Sequence, residues 1–92
     1  MKSTKYRRNK EVSMQNMDGD YFLANEISGS IYHLNNIGAA LWRILEVPHD
    51  IETIINLFIS VFPDQSPKEL AHDIIALVNQ LEEHQLITAE VD

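Results

Sequence analysis

The hydrophobic period of the sequence changes abruptly at Asn35-Asn36, and this change constrains the fold more than any other feature. Before it, apolar and polar side chains alternate over residues 31–34, as in a half-buried strand. After it, apolar residues such as Ile37 and Leu41 recur at the spacing of one helical face. A strand is therefore joined to a helix by a very short connection, and both elements must bury one face in the same core.

Three short strands are predicted up to this junction. Apolar and polar residues alternate over residues 12–14, and Asp18-Gly19 is a residue pair typical of a tight two-residue hairpin. Residues 21–24 form the return strand of that hairpin, and residues 30–34 form the third strand. This order of strands and turns predicts a small antiparallel meander.

Three helices follow the strands, and each is preceded by a polar residue able to cap its first turn: Asn35, Asp50 and Ser66. Prolines end the first two helices, since the residue before a proline disfavours helical geometry. The third helix runs from Pro67 to about His84, and residues 86–88 form a short closing strand. The predicted fold class is α+β and winged-helix-like, with a three-stranded antiparallel sheet followed by three helices.

Charge divides the chain near residue 10. Five of the seven lysines and arginines lie in the first ten residues, whereas all fourteen acidic residues lie in residues 11–92. We therefore predict a disordered basic tail over residues 1–10 and a single domain over residues 11–92. An acidic domain of this kind repels nucleic-acid phosphates and favours a partner that carries basic residues.

No pattern of catalytic or metal-binding residues is visible in the sequence. The four histidines are scattered without a metal-ligand spacing, and the chain has no cysteine for a thiolate site or a disulfide. A glycine-rich phosphate loop and a nucleophile elbow are also absent. We predict that the protein is not an enzyme and that it binds no cofactor and no metal.

Nucleic acids and membranes are equally poor candidates as partners. The third helix contains a single basic residue, Lys68, among four carboxylates, whereas a DNA-reading helix needs a basic outward face. No apolar run is long enough to span a bilayer. Because the chain also lacks cysteines and a secretory signal, we expect it to be cytoplasmic.

The strand–helix junction resembles the signature of the PqqD-like family, named for coenzyme PQQ synthesis protein D. The resemblance rests on the pattern Gly29-x-x-Tyr32-x-Leu34-Asn35 and then Gly38-x-x-Leu41-Trp42. A second helix ending at Phe62-Pro63 and the final helix follow in the same order, so the resemblance covers about residues 11–88. Domains of this family are also called RiPP recognition elements, and they capture the leader peptides of ribosomally made, later modified peptides.

The resemblance implies a non-catalytic adaptor that presents a leader peptide to a maturation enzyme, such as a radical SAM enzyme, a protease or a cyclase. The leader would add as a strand to the edge of the third strand, in a cleft beside the third helix. The resemblance implies that the docking edge is Ser30, Ile31, Tyr32, His33 and Leu34. On the third helix we predict that the peptide-binding residues are those of one shoulder beside the core stripe: Asp73, Leu77, Gln80 and His84. The alternative function is a winged-helix protein that binds DNA, or a transcriptional accessory that acts through protein contacts.

Side-chain alternation assigns faces to the third strand but leaves the third helix ambiguous. Tyr32 and Leu34 share the core-facing side of the strand, and Ile31 and His33 share the other. Leu77 is as consistent with a core position as with the cleft. A second shoulder of the helix could face the cleft instead: Ala71, Ile75, Val78 and Glu82.

Two further alternatives stay open in the sequence. Trp42 lies off the centre of the apolar stripe of the first helix, so it packs under the sheet or the second helix, or it contacts a partner. An exposed strand edge can also pair with its own copy, so the protein is either a monomer or an edge-paired dimer.

Overall fold

Two small antiparallel sheets and three helices form the fold of residues 4–91, the part of the chain that this computed structural model describes. The elements in chain order are β1 (Thr4–Arg8), β2 (Val12–Met17), β3 (Asp20–Asn25), β4 (Ile31–Leu34), α1 (Asn36–Ile44), β5 (His49–Asp50), α2 (Ile51–Val61), α3 (Pro67–Glu83) and β6 (Ile87–Val91). The strand orders are β2-β3-β4 in one sheet and β5-β1-β6 in the other.

The first sheet is the predicted meander. Its β2–β3 hairpin turns at Asp18 and Gly19, which have φ values of 56° and 89°. Positive φ at both central residues matches the right-handed twist of the flanking strands, and the Asn16 side chain accepts a hydrogen bond from the Gly19 N–H at 3.1 Å. The predicted fold class, a three-stranded sheet followed by three helices, is confirmed.

The three predicted helix caps are all present. The Asn35 side chain accepts a hydrogen bond from the Gly38 N–H at 2.8 Å, and Ser66 caps α3 in the same way. Asp50 caps α2, and hydrogen bonds from the Thr53 side chain and from the Thr53 N–H hold the pKa of its carboxyl below its usual range. Capping satisfies backbone donors that have no partner within the helix, which is why these residues set the helix starts.

The second sheet is the main departure from the prediction. A disordered tail was predicted over residues 1–10, whereas residues 4–8 form the central strand β1, between β5 and β6. The predicted boundary at residue 10 is therefore wrong, because β1 belongs to the domain; residues 1–3 lie outside the described part. Arg7 forms an ion pair with Glu90 at 2.8 Å, across 83 positions of sequence. A pairing so distant in sequence leaves no local signal in a short basic segment.

The core lies between the inner face of the β2-β3-β4 sheet and the three helices. Its fully buried large side chains are Leu23, Leu41, Leu45, Ile54, Phe58, Leu70, Ile74, Val78, Leu81, Leu86 and Ile87. Trp42 is also buried in this core, with 3% of its surface exposed, so it is not available for contact with a partner. Arg8 covers it: its guanidinium lies 5.0 Å from the indole centroid, and its Nε donates to the Trp42 C=O at 2.8 Å.

Candidate functional site

Strand β4 has one free edge. One side of β4 pairs with β3, and no strand of the described chain pairs with the other side. The Asn25 N–H donates to the Ser30 C=O at 2.9 Å, so Asn25 and Ser30 are a hydrogen-bonded pair of the two strands. Because hydrogen-bonded and non-hydrogen-bonded pairs alternate in an antiparallel ladder, every second residue of β4 turns its backbone outward. The outward N–H and C=O groups belong to Ile31 and His33.

A groove of about 170 Å³ lies between this part of β4 and helix α3. Its lining residues are Tyr32, His33, Leu34, Asn35, Gly38, Leu77 and Gln80. Gly38 permits the close approach of α1 to β4, since a Cβ at this position would lie 2.9 Å from Leu34 Cδ2. The groove therefore combines the apolar side chains of Leu34 and Leu77 with two amide side chains, those of Asn35 and Gln80, beside the free strand edge.

Tyr32 connects β4 with the end of α3. Its ring lies 5.4 Å from the His84 ring, centroid to centroid, in a tilted arrangement. A tyrosine hydroxyl is protonated at neutral pH, and burial raises the pKa of Tyr32 further above its ordinary value of 10.0. The hydroxyl can therefore act as a hydrogen-bond donor beside the groove.

The side chains of Ile31 and His33 point to the opposite face of the sheet, as alternation predicts. Ile31 is 72% exposed, and the His33 ring packs edge-on against Phe22 with 5.1 Å between centroids. His33 Nε2 also lies 3.8 Å from Asp20 Oδ1. These two residues therefore offer backbone groups to the free edge and side chains to the outer face.

The structure brings most of the predicted site residues together, and it separates one from the rest. Tyr32, His33, Leu34, Leu77 and Gln80 line the groove, His84 contacts Tyr32, and Ser30 and Ile31 extend the strand. Asp73 instead lines a different depression of about 440 Å³ with Lys68, Glu69 and His72.

The alternative shoulder of α3 does not line the groove. Val78, one of its members, is buried in the core, whereas Leu77 is half-buried and lines the groove. Sequence reasoning assigned Asn35 and Gly38 only to the helix start and to close packing, although both also line the groove. Both residues belong to the sequence pattern between Tyr32 and Trp42, and this pattern was the signal that could have assigned them to the groove.

Two further observations concern other kinds of site. Among residues 4–91, no group of three or more histidine or carboxylate side chains is arranged to hold a metal ion. In the same part of the chain, none of the helices has the length and apolar character needed to cross a membrane.

Comparison with known families identifies the chain. The sequence model of the family described as coenzyme PQQ synthesis protein D (PqqD) matches residues 18–87, from the β2–β3 turn to the start of β6. The chain belongs to the PqqD family. The match includes both walls of the groove, β4 and α3, and it confirms the resemblance seen in the sequence. No curated protein matches the chain.

Two solved structures share the fold of this PqqD-family chain. One is described as "TbiB1 in Complex with the TbiA(beta) Leader Peptide"; it is 17% identical, with a TM-score of 0.75 over 88% of this chain and 93% of that chain. The other, "Lasso peptide synthetase B1 complexed with the leader peptide", is 24% identical, with a TM-score of 0.75 over 90% of this chain and 96% of that chain. At these identities the likeness supports the predicted α+β, winged-helix-like fold.

Proposed function

We propose that this protein is a non-catalytic adaptor that binds the leader of a ribosomally made precursor peptide and presents it to a maturation enzyme. The observation that carries the proposal is the free edge of β4 beside the groove formed with α3. Membership of the PqqD family supports it, as do two proteins of the same fold whose descriptions name a bound leader peptide. The maturation enzyme would be a radical SAM enzyme, a protease or a cyclase.

The leader would bind by strand addition. An extended peptide pairs with the outward backbone groups of Ile31 and His33, and each hydrogen bond contributes about 1 kcal/mol net. Two or three buried apolar side chains of the leader, one of them in the groove against Leu34 and Leu77, contribute about 1.5–3 kcal/mol each. These terms must exceed the cost of ordering a flexible peptide. A dissociation constant in the micromolar range, about −8 kcal/mol, is the expected result.

The groove suggests which leader side chains would be selected. Its two leucines suit an aliphatic or aromatic side chain, while the Gln80 amide and the Tyr32 hydroxyl suit an adjacent polar group. Asp73 lies outside the groove, so we assign it a different role, attraction of a basic leader residue that extends beyond β4. The negative net charge of −7 favours such a basic leader.

The remaining expectations about partners belong to the same proposal. The protein acts in the cytoplasm without a cofactor, because the chemistry resides in the maturation enzyme. It is a monomer or an edge-paired dimer, and in a dimer the second copy would compete with the leader for β4. No observation favours the alternative of DNA binding, since α3 carries one lysine beside several carboxylates.

The direct test is a nuclear magnetic resonance titration with a synthetic leader from the neighbouring precursor gene. We expect the amide shifts to concentrate in residues 30–35 and 77–84, on the two walls of the groove. The same leader with its groove-filling apolar residue changed to aspartate is the control, and it should bind weakly. Shifts spread over the second sheet, with β4 unaffected, would contradict the proposal.

A further inference from the structure

The β2-β3-β4 sheet has an outer face that no other described element covers. Alternation places Leu23 and Leu34 toward the core, and it places their neighbours on the opposite side. We call this side the outer face; its residues are Ser13, Gln15, Met17, Asp20, Phe22, Ala24, Ile31 and His33. Met17 is 64% exposed and Ile31 is 72% exposed. The solvated face of an antiparallel sheet is normally polar, so this apolar content needs an explanation.

The outer face has carboxylates at both ends, and none of its own residues is a lysine or an arginine. Asp18 and Asp20 lie at the hairpin end, and Glu11 and Glu26 are joined at the other end, where the Glu26 N–H donates to the Glu11 C=O at 3.0 Å. There is no lysine or arginine between residues 11 and 42. An apolar surface with an acidic rim is complementary to an apolar patch surrounded by lysines and arginines.

A further apolar side chain is held in solvent at the end of the same sheet. Ile27 is 77% exposed in the turn that joins β3 to β4. The side-chain oxygen of the buried Asn25 accepts hydrogen bonds from the Ile27 N–H at 2.9 Å and from the Ser28 N–H at 3.1 Å. The turn is therefore fixed by its own hydrogen bonds, so its order does not depend on burial of Ile27.

We infer that the outer face is a docking surface for the maturation enzyme, which would contact it through an apolar patch with a basic rim. This inference rests on the proposed function. A leader added to β4 would extend the same face, because alternate side chains of the added strand lie beside Ile31 and His33. The enzyme would then contact adaptor and leader at once. The net charge of −7 opposes coverage of this acidic-rimmed face by a second copy.

The test uses the purified maturation enzyme encoded beside the precursor gene, together with the leader peptide. The variant Gln15→Lys/Met17→Lys introduces positive charge on the outer face, two strands away from the leader edge. The matched control, Ser60→Lys/Val61→Lys, makes the same exchange at the end of α2, where Val61 is 65% exposed. Circular dichroism checks that both variants remain folded. If the outer-face variant does not fold, Met17→Ser replaces it.

We expect the outer-face variant to bind the leader within about twofold of the unaltered protein but to bind the enzyme at least about tenfold more weakly. The control should bind both normally. Unchanged enzyme binding by the outer-face variant, or an equal loss in the control, would overturn the inference and leave the proposed function standing. The inference would also be overturned if the unaltered protein formed a dimer that the outer-face variant, but not the control, dissociated. Failure of the unaltered protein to bind the leader would remove both proposals.

Discussion

The two sheets have the same number of strands and the same antiparallel pairing, but they are built from very different parts of the chain. In the β2-β3-β4 sheet, short turns connect consecutive strands. In the β5-β1-β6 sheet, β1 pairs with β6 across almost the whole sequence, and Thr4 lies opposite Val91. The first sheet contributes the free edge and one wall of the groove, whereas the second joins the two ends of the described chain.

The two sheets also differ in how well their open edges suit an added peptide strand. Strand β4 lies beside a groove that Leu34 and Leu77 partly line, so a peptide added there can also bury an apolar side chain. Strand β6 is exposed along most of its length and carries the ion pair between Arg7 and Glu90. A peptide added to β6 would gain backbone hydrogen bonds with little apolar burial, which is a weak basis for affinity. Both sheets have open edges. A depression of about 260 Å³ adjoins β6 as well, but charged and polar side chains line it, whereas Leu34 and Leu77 line the groove beside β4.

The largest expected effect tests whether the second sheet is part of one cooperative domain. Ile87 in β6 is fully buried, so Ile87→Ala should lower the free energy of unfolding by about 2–5 kcal/mol, through lost burial and the cavity left behind. Urea denaturation measures the loss. The exposed residue of the same strand, Val91, provides the control, and Val91→Ala should change stability by less than about 0.5 kcal/mol. A small effect of Ile87→Ala would mean that the second sheet is dispensable.

The next effect concerns the free edge of the first sheet. Ile31→Pro removes an outward backbone N–H from β4, so it should weaken leader binding by about tenfold or more while the domain stays folded. Ile31→Ala keeps that N–H and serves as the control for loss of the side chain. Fluorescence anisotropy with a labelled leader measures both affinities. Normal binding by a folded Ile31→Pro variant would show that the leader uses another edge.

A smaller effect compares two neighbouring arginines of β1. Arg8 donates a hydrogen bond to the Trp42 C=O and lies over the indole ring, so Arg8→Ala should cost about 1–2 kcal/mol of stability. The exposed ion pair of Arg7 with Glu90 should contribute only about 0–1 kcal/mol. Thermal unfolding of the two alanine variants checks the difference. Equal losses would mean that the contact with Trp42 does not anchor β1 to the core.

The smallest effect concerns the link between the groove helix and the second sheet. Gln85 follows the C-cap of α3 and has a positive φ of 61°, in a turn where the Leu86 N–H donates to the Leu81 C=O at 2.9 Å. Gln85→Gly should stabilise the protein by about 0.5–1 kcal/mol, because glycine adopts this conformation without the steric cost of a Cβ. Chemical denaturation measures both variants, and Gln85→Ala should not be more stable than the unaltered protein. If Gln85→Ala gained as much stability as Gln85→Gly, relief of the steric cost of the Cβ could not be the reason.

The sequence alone determined the elements whose signals are local. The Asp18-Gly19 turn, the caps at Asn35 and Ser66, and the alternation that turns Ile31 outward each depend on residues within a few positions of one another. Such signals act through backbone conformation and neighbouring hydrogen bonds, so they can be read in order along the chain. The meander, the three helices and the faces of β4 were therefore predictable.

Only the tertiary structure decided the second sheet and the membership of the groove. The place of β1 depends on partners at the other end of the chain, which no local pattern encodes. The face of α3 that meets β4 depends on how the helix packs, and that packing puts Leu77 in the groove while Asp73 lies at another depression. Long-range pairing and helix rotation are set by the fit of whole surfaces, and a single apolar stripe is compatible with several such fits.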